Sequence, residues 1–288
     1  MQQKLLDTFI KLALKEDVGP GDHTSNACIS VKDTSKARCI IKDDGILAGM
    51  VVARRAFKLV DPKSKFKALI KDGATVEYGD IAFEVTCNTR KLLLVERLVL
   101  NTMQRLSGIA SMADRFAAEV EGLPVKILDT RKTTPLIRFL EKYAVKCGGC
   151  YNYRDGLYDW IMIKDNHIDA CGSIEQAILQ VKSYLKKNKL RRGITIEVRN
   201  LVELYEVLRV GGVTRIMFDN FEIPILKEAV AIVKGKTDGG KFETEASGGV
   251  TLKNVRKIAL TGVDYISSGA LTHSAGQLDI SLKIMKNT

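Results

Sequence analysis

The sequence predicts an α/β protein in which an N-terminal α+β sandwich domain precedes an open or incomplete α/β barrel of six or seven parallel strands. Two observations predict this fold class. Short β-type runs separated by turn signals occupy residues 1–90, and from residue 125 onward short apolar runs alternate with helical patterns. Alternating strands and helices are typical of parallel βαβ units with right-handed crossovers.

Composition and charge narrow the class of protein. The 288 residues, 45% of them hydrophobic, suffice for two domains with buried cores. The 45 basic and 34 acidic side chains give a net charge of +11, which suits small polyanionic substrates, nucleic acid or a membrane surface without choosing between them. No apolar run approaches the roughly 18 residues of a membrane span, and no signal peptide is recognisable, so we expect a cytoplasmic protein without membrane contact.

The N-terminal region predicts an amphipathic helix followed by a mostly antiparallel sheet. Leu6, Phe9, Ile10 and Ala13 recur at helical spacing. Four later β-type runs are separated by turn dipeptides such as Asp72-Gly73, and they occupy residues 37–41, 46–53, 66–70 and 81–87.

A long helix is predicted next, because apolar residues keep a spacing of three or four from residue 91 to residue 120. Ser107-Gly108 predicts a kink or break within it. We therefore divide the chain into an N-terminal domain at residues 1–107 with this linking helix, a barrel at 108–272, and a C-terminal segment at 273–288 that packs back on the N-terminal domain.

The barrel is predicted from apolar runs that each end in a polar residue. The runs are residues 125–128, 160–163, 194–196, 216–218, 242–244 and 265–266, and the helical patterns lie at 135–146, 174–185, 201–210, 223–233 and 252–260. Thr134 and Pro135 are expected to start the first of these helices as its N-cap and first residue. Only about 180 residues follow residue 108, fewer than the ~250 of a full eight-stranded barrel, so we expect a shortened one.

The side chains at the predicted strand ends indicate polyanion binding. Arg131, Lys132, Arg154 and Lys164 supply cations at the face where barrel enzymes place their chemistry. Lys164 follows the apolar Trp-Ile-Met-Ile run, and a buried lysine is costly unless it is paired or functional.

Later strand ends add carboxylates and glycine turns. Ser247-Gly248-Gly249 and Ser268-Gly269-Ala270 fall where barrels often bind phosphate, the first directly before a predicted helix. Glu197 and Asp219, two carboxylates beside such a site, indicate Mg²⁺ or ribose hydroxyls.

An ordered set of motifs then resembles one known family. Residues 129–135 (Asp-Thr-Arg-Lys-Thr-Thr-Pro), 146–149 (Lys-Cys-Gly-Gly), 163–167 (Ile-Lys-Asp-Asn-His), 218–220 (Phe-Asp-Asn) and 246–249 (Ala-Ser-Gly-Gly) follow one another as in nicotinate-nucleotide pyrophosphorylase (decarboxylating), also called quinolinate phosphoribosyltransferase. Residues 16–22, 96–97 with 106–110, and 269–274 agree in the same order. The resemblance covers nearly the whole chain.

The resemblance implies that quinolinate and phosphoribosyl pyrophosphate give nicotinate mononucleotide, pyrophosphate and CO₂, with Mg²⁺, in NAD biosynthesis. It also implies a homodimer, or a higher assembly of dimers, with shared sites, and it assigns roles to matching residues. The catalytic residues would be Lys132, Lys164, Glu197 and Asp219, and the last two would also hold Mg²⁺ and face the ribose. Arg131, Lys132, Arg154 and Lys164 would hold the quinolinate carboxylates, together with Arg97 of the partner subunit. Thr130 and Tyr153 would also bind substrate, Tyr153 at the place where the family's His is usually assigned to the quinolinate site. The phosphates would bind at Ser247, Gly248, Gly269, Ala270 and His273.

One position departs from the family pattern. The family usually has Asn-His-Arg where this chain has Asn152-Tyr153-Arg154. Tyr153 keeps a hydrogen-bond donor but supplies no cation near neutral pH, so we expect a lower affinity for quinolinate and an unchanged reaction.

Three other interpretations stay open from the residues alone. A homologue of the same fold, such as a molybdenum-linked relative, could use another substrate. Lys164 at a barrel strand end would suit a Schiff-base aldolase. The basic charge would suit a nucleic-acid-binding protein, although no recognised nucleic-acid motif is present and we expect no nucleic-acid partner.

Overall fold

The computed structural model describes residues 3–235 and 242–285. Contacts divide the chain into two compact units. The first comprises Met1–Arg115, Thr133–Gly149 and Leu271–Thr288, and the second comprises Phe116–Lys132 and Cys150–Ala270. The domain boundaries predicted at residues 107 and 272 stay predictions, because units grouped by contact need not coincide with independently folding domains.

The described residues form helices and strands with the following bounds. The helices are α1 (Gln3–Val18), α2 (His23–Cys28), α3 (Met50–Val60), α4 (Thr89–Glu119), α5 (Arg138–Cys147), α6 (Asp165–Cys171), α7 (Ile174–Lys187), α8 (Leu201–Val210), α9 (Ile223–Gly235), α10 (Val255–Ala259) and α11 (Ala270–His273). The strands are β1 (Thr34–Ile41), β2 (Gly45–Ile46), β3 (Lys65–Ala68), β4 (Thr75–Val76), β5 (Ile81–Asn88), β6 (Lys126–Leu128), β7 (Ile161–Ile163), β8 (Ile194–Val198), β9 (Arg215–Asp219), β10 (Glu243–Ser247), β11 (Tyr265–Ser267) and β12 (Ile280–Ile284).

The first unit is built on a small antiparallel sheet. Its strand order is β12-β1-β5-β3, and β2 pairs with β4 in a separate two-stranded ribbon. Strand β12 pairs with β1, with Ala37 opposite Ile284. Phe57, Phe66 and Phe83 pack together with ring centroids 4.6–6.0 Å apart and form the centre of this unit's core.

The strand predicted at residues 46–53 is wrong, because the chain enters helix α3 at Met50. Gly49 marks the change with a left-handed φ of 106°. The run from 46 to 53 is apolar throughout, and such a run cannot distinguish a buried strand from a buried helix. Helical spacing becomes visible only when the next residues are included, because Val52, Ala53, Ala56 and Phe57 are all fully buried.

Helix α4 is continuous over 31 residues, so the long helix is confirmed and the predicted break at Ser107-Gly108 is wrong. These two residues serve packing instead. The Ser107 hydroxyl accepts from Ala48 N at 2.9 Å and donates to Ala48 O at 3.1 Å. A Cβ on Gly108 would overlap the Gly276 carbonyl, so glycine permits a close approach inside the helix.

The helix predicted to start at Thr134-Pro135 starts later, at Arg138. Leu136 lies between them with a φ of 69°, a left-handed conformation that cannot continue a helix. The Thr134 hydroxyl donates to the buried Glu141 at 2.8 Å, and Arg105 donates to the same carboxylate at 3.0 and 3.1 Å. These contacts to Glu141, rather than an N-cap side chain, fix the turn that precedes α5.

The second unit contains a six-stranded parallel sheet in its described residues, with the order β6-β11-β10-β9-β8-β7. Within the same residues no ladder joins β6 to β7, so the open barrel of six or seven strands is confirmed as a sheet of six. The helices predicted at 174–185, 201–210 and 223–233 are confirmed as α7, α8 and α9. In parallel strands all carboxyl ends share one edge, so this topology gathers the residues that follow β6 to β11.

Helices α1 to α11, which include every helix of the ranges 3–235 and 242–285, offer no segment with the length and apolarity to cross a bilayer.

The start of α3 provides a test of this packing. A Cβ on Gly49 would lie 3.1 Å from the Met103 Cα, whereas one on Gly79, with a φ of 95°, would meet nothing within 4 Å. Both alanine variants pay backbone strain, but only Gly49→Ala also forces α3 away from α4. We expect Gly49→Ala to lower the free energy of unfolding by about 2–4 kcal/mol and Gly79→Ala by about 1 kcal/mol. Urea titration measures both, and equal losses would contradict the close approach.

Candidate active site

Polar side chains of four adjacent strands meet at the carboxyl edge of the parallel sheet. Lys164 follows β7, Glu197 lies near the end of β8, and Asp219 and Ser247 end β9 and β10. Asp219 and Ser247 are direct partners in the β9–β10 ladder. The structure therefore brings together side chains that are up to 83 residues apart in the sequence, from Lys164 to Ser247.

Lys164 and Glu197 form an ion pair at this edge. The Lys164 Nζ donates to Glu197 Oε2 at 2.5 Å, and the Glu197 side chain is 7% exposed while that of Lys164 is 44% exposed. His167 helps to set the turn, since its Nδ1 accepts from the Lys164 amide at 3.0 Å at the start of α6. The expectation that Lys164 needs a partner is met by a carboxylate of the neighbouring strand.

Next to the Lys164–Glu197 pair, the turns that follow β9 and β10 are hydrogen-bonded to each other. Asn220 has a φ of 55°, its amide donates to Ser247 O at 2.9 Å, and its Nδ2 donates to Asp219 Oδ2 at 2.9 Å. A Cβ on Gly248 would overlap the Asn220 side chain, so only glycine fits there. Ser247 and Gly248 are thereby fixed next to Asp219.

The glycine turns do not open helices of useful length. Helix α10 begins at Val255 and has five residues, so the expectation of a helix directly after Gly249 is wrong. Ser268, before Gly269 and Ala270, is almost fully buried and its hydroxyl donates to Val250 O at 3.1 Å. Any phosphate here would meet the backbone and side chains of turns rather than a helix dipole.

Two cationic loops lie side by side at the β6 edge. The fully buried Asp129 accepts from the Tyr153 amide at 2.9 Å through Oδ1, and its own amide donates to Tyr151 O at 3.0 Å. The Thr130 hydroxyl accepts from the Lys132 amide at 3.0 Å. These bonds tie the 129–132 loop, with Arg131 and Lys132, to the 152–154 loop, with Arg154.

The two guanidinium groups are close enough to repel each other. The pKa of Arg154 is lowered first by burial and then by the positive charge of Arg131. Arg131, Arg154 and Lys164 line one cavity of about 510 Å³, together with His167 and the ring of Trp160. Leu157 and Met162 are among its apolar lining residues. Three cations beside an aromatic and apolar wall suit a flat, negatively charged molecule.

Sequence reasoning missed a buried polar network beneath these loops. Strand β10 runs to Ser247, so Glu245 is not at a strand end as predicted but lies inside the strand and is fully buried. Arg215 donates to Glu245 at 2.9 Å, and its guanidinium carbon lies 3.7 Å from the centroid of the Tyr265 ring. Burial raises the pKa of Glu245, and the charge of Arg215 opposes that rise.

Two further predicted residues belong to the first unit. Arg97 lies on α4 and is exposed, and its charge opposes the rise that burial causes in the pKa of Glu96. His273 ends α11, is exposed, and its Nδ1 forms a 2.8 Å hydrogen bond with the Ser274 hydroxyl. The twelve other predicted residues that bind substrate or metal lie in the second unit: Thr130, Arg131, Lys132, Tyr153, Arg154, Lys164, Glu197, Asp219, Ser247, Gly248, Gly269 and Ala270.

Comparisons with known proteins agree over almost the whole chain. The model of the quinolinate phosphoribosyl transferase N-terminal domain matches residues 22–107, and that of the C-terminal domain matches residues 109–283. A relative from Nicotiana tabacum, named quinolinate phosphoribosyltransferase (decarboxylating) 1b, is 46% identical over 294 residues, covering 97% of this chain and 82% of that protein. A probable nicotinate-nucleotide pyrophosphorylase (carboxylating) from Bacillus subtilis is 41% identical over 285 residues, covering 98% and 93%.

Solved structures give the same result. NadC from Streptococcus pyogenes superimposes with a TM-score of 0.91 at 37% identity, covering 99% of both chains. A nicotinate-nucleotide pyrophosphorylase from Ehrlichia chaffeensis has a TM-score of 0.89 at 39% identity, covering 97% of this chain and 98% of that one. With both family domains matched in order and identities above 40% over nearly the full length, this chain belongs to the quinolinate phosphoribosyltransferase family.

Proposed function

We propose that this protein transfers the phosphoribosyl group of phosphoribosyl pyrophosphate to quinolinate, releasing pyrophosphate and CO₂ and giving nicotinate mononucleotide for de novo NAD biosynthesis. The observation that carries the proposal is the cavity on which Arg131, Arg154 and Lys164 converge, in a chain of this family. The family match favours this function over an aldolase or a nucleic-acid-binding protein. The cytoplasmic location stays a prediction.

Quinolinate is a flat ring with two adjacent carboxylates, and the cavity matches it in charge and shape. Each arginine can hold a carboxylate through two parallel N–H donors, and Lys164 adds a point charge. Lys132, in the loop next to Arg131, would add a further cation. The Trp160 ring in the cavity wall offers a surface on which an aromatic ring can pack.

The ribosyl donor would bind at the neighbouring strand ends. Glu197 and Asp219 would accept hydrogen bonds from ribose hydroxyls, and the turns at Ser247-Gly248 and Gly269-Ala270 would bind phosphate oxygens. The donor would then lie beside the cationic cavity, because Lys164 lines that cavity and its ammonium contacts Glu197.

The donor set of this edge fits Mg²⁺. Glu197 and Asp219 supply hard oxygen ligands, and Mg²⁺ is commonly held by one or two carboxylates together with substrate phosphates and water. When bound, the ion would neutralise charge on the pyrophosphate as it leaves. Glu197 would have to share its carboxylate between the metal and Lys164, whose Nζ is 2.5 Å from Oε2.

The protein's own part in the reaction is positioning and charge. Both substrates are anions, so the cations must bring the quinolinate nitrogen to the ribose against their mutual repulsion. As the C–N bond forms and pyrophosphate leaves, the ribose gains oxocarbenium character that the nearby carboxylates Glu197 and Asp219 would stabilise. The pyridine nitrogen becomes cationic. The electron pair of the C2–carboxylate bond then remains in the ring as CO₂ departs. A proton takes the place of the carboxylate at C2.

Product analysis tests the proposed function. Purified protein, quinolinate, phosphoribosyl pyrophosphate and Mg²⁺ are expected to give nicotinate mononucleotide and CO₂ in equal amounts. Nicotinate replaces quinolinate in the control, because it lacks the C2 carboxylate that the cationic cavity would bind. Turnover of nicotinate without turnover of quinolinate would reject the proposal in favour of a homologue with another substrate.

The assignment of Asp219 to the ribosyl donor is tested by Asp219→Asn, which keeps size and removes charge. We expect the apparent KM for phosphoribosyl pyrophosphate or Mg²⁺ to rise by roughly tenfold or more, while equilibrium binding of quinolinate alone changes little. Asp114→Asn on the exposed face of α4 is the matched control. A large loss of quinolinate binding in Asp219→Asn would instead move Asp219 to the quinolinate site.

We propose further that the protein is a homodimer in which Arg97 serves the partner's site. Its support is the exposed position of Arg97 on α4 and the match of its motif to the family. Arg97→Ala and Lys164→Ala are each expected to be nearly inactive. After dissociation, equal mixing and reassembly, about half the dimers are mixed, and one of the two sites in each is intact. About a quarter of wild-type activity should therefore return.

Subunit exchange is verified separately with differently tagged chains. If exchange occurs and no activity returns, both residues act in the same subunit and the shared site is rejected.

A further inference from the structure

The inside of the parallel sheet contains a hydrogen-bonded network that the proposed reaction does not use. Its members come from four adjacent strands: Thr195 of β8, Arg215 of β9, Glu245 of β10 and Ser267 of β11. All four are less than a tenth exposed. Ser267 and Arg215 both donate to the Glu245 carboxylate. Polar groups buried at this density are costly unless all are satisfied, so their geometry is sharply defined.

Tyr153 joins this network from the loop above it. Its hydroxyl lies 2.6 Å from the Thr195 hydroxyl, and the same Thr195 oxygen accepts from Trp160 Nε1 at 2.8 Å. Indole N–H can only donate, so the Thr195 oxygen accepts from Trp160 while it also bonds the Tyr153 hydroxyl.

Tyr153 directly precedes Arg154, so the hydrogen bonds that hold Tyr153 also restrict the loop that carries Arg154. The Tyr153 amide is held by Asp129 at 2.9 Å and its hydroxyl by Thr195, so the residue is fixed at both ends. Arg154 lines the cationic cavity, whereas Tyr153 is not among the lining residues in the described part of the chain. The Tyr153 hydroxyl therefore points to the sheet interior and the Arg154 side chain to the cavity.

We propose that Tyr153 is a positioning residue, whose hydrogen bond to Thr195 fixes the loop so that Arg154 meets a substrate carboxylate. This inference rests on the proposed function, and it differs from the direct contact with quinolinate that the sequence predicts for Tyr153. If the Tyr153 hydroxyl contacted the substrate, its removal would weaken quinolinate binding whether or not Thr195 keeps its own hydroxyl. If Tyr153 positions Arg154, removal of its hydroxyl weakens binding only because the bond to Thr195, a residue inside the sheet, is lost.

Steady-state kinetics of Tyr153→Phe, Thr195→Val and the double variant distinguish the two roles. Each single change is expected to raise the KM for quinolinate by roughly three- to tenfold, with a smaller effect on kcat and on the KM for phosphoribosyl pyrophosphate. The double variant should fall clearly short of the product of the two effects, because both changes break the Tyr153–Thr195 bond, although Thr195→Val also removes the acceptor of Trp160 Nε1. Thr195→Ser keeps the hydroxyl and should restore a KM near that of the wild type.

Thr244→Val is the matched control. Thr244 is a fully buried threonine of the same sheet, and its hydroxyl donates to Asp264 outside the network. It should lower stability without changing the quinolinate KM. Trp160 is the only tryptophan of the chain, so its emission reports on this site and should shift in Thr195→Val and not in Thr244→Val.

A rise in KM with Tyr153→Phe that is absent with Thr195→Val would overturn the inference and assign the hydroxyl to the substrate. Effects that multiply in the double variant would also overturn it. Either result leaves the proposed function standing, because wild-type turnover is measured in the same series. A wild-type protein that does not convert quinolinate would overturn both.

Discussion

A buried hydrogen bond from the Tyr153 amide to the Asp129 carboxylate holds two positively charged loops side by side. Burial first, and then the positive charge of Arg131, lowers the pKa of Arg154, so the two guanidinium groups disfavour each other. At the surface of a protein such a repulsion is worth at most a few kcal/mol, and it falls with added salt. A backbone hydrogen bond to the buried Asp129 carboxylate, reinforced by the bond from the Asp129 amide to Tyr151 O, is strong enough to offset it. The fold therefore keeps the cations together before any anion binds.

The parallel sheet makes this arrangement possible. All six strands end at one edge, so the loops after β6 and the ends of β7 to β11 converge although the residues are far apart in the sequence. The Lys164–Glu197 pair lies at the junction, with its ammonium on the cationic cavity and its carboxylate next to the end of β9. The cationic side chains at this edge suit a dicarboxylate. The carboxylates and glycine turns at the same edge suit a phosphorylated ribose. Adjacent binding of two anions is the main requirement of the proposed reaction.

The strands, helices and site residues that are marked by a local sequence pattern could be predicted from the sequence. Periodicity located the six parallel strands and helices α7, α8 and α9 to within a few residues, and strand ends identified Arg131, Arg154 and Lys164. Helix α3 was missed because its first residues form a uniformly apolar run, in which period two and period 3.6 cannot be told apart. The left-handed Leu136 was missed because tertiary contacts of Glu141, and not a turn residue, impose it.

The residues inside the sheet were missed for a different reason. Arg215 and Glu245 are charged, and a charged residue in a strand pattern is normally assigned to a strand end or to solvent. Their partners lie on other strands, and no local signal names them. The one available hint is that Glu243 and Glu245 are two residues apart, which places both on the same face of β10.

The most direct test of this account is the thermal stability of Arg131→Gln, measured at low ionic strength with and without quinolinate. Arg131 is exposed, so its guanidinium is accessible to an added anion. If the cationic cavity binds a dicarboxylate, the rise in Tm that quinolinate produces in the wild type should be largely lost in the variant. Each rise is measured from that protein's own Tm without ligand. An undiminished rise on adding quinolinate would contradict the account.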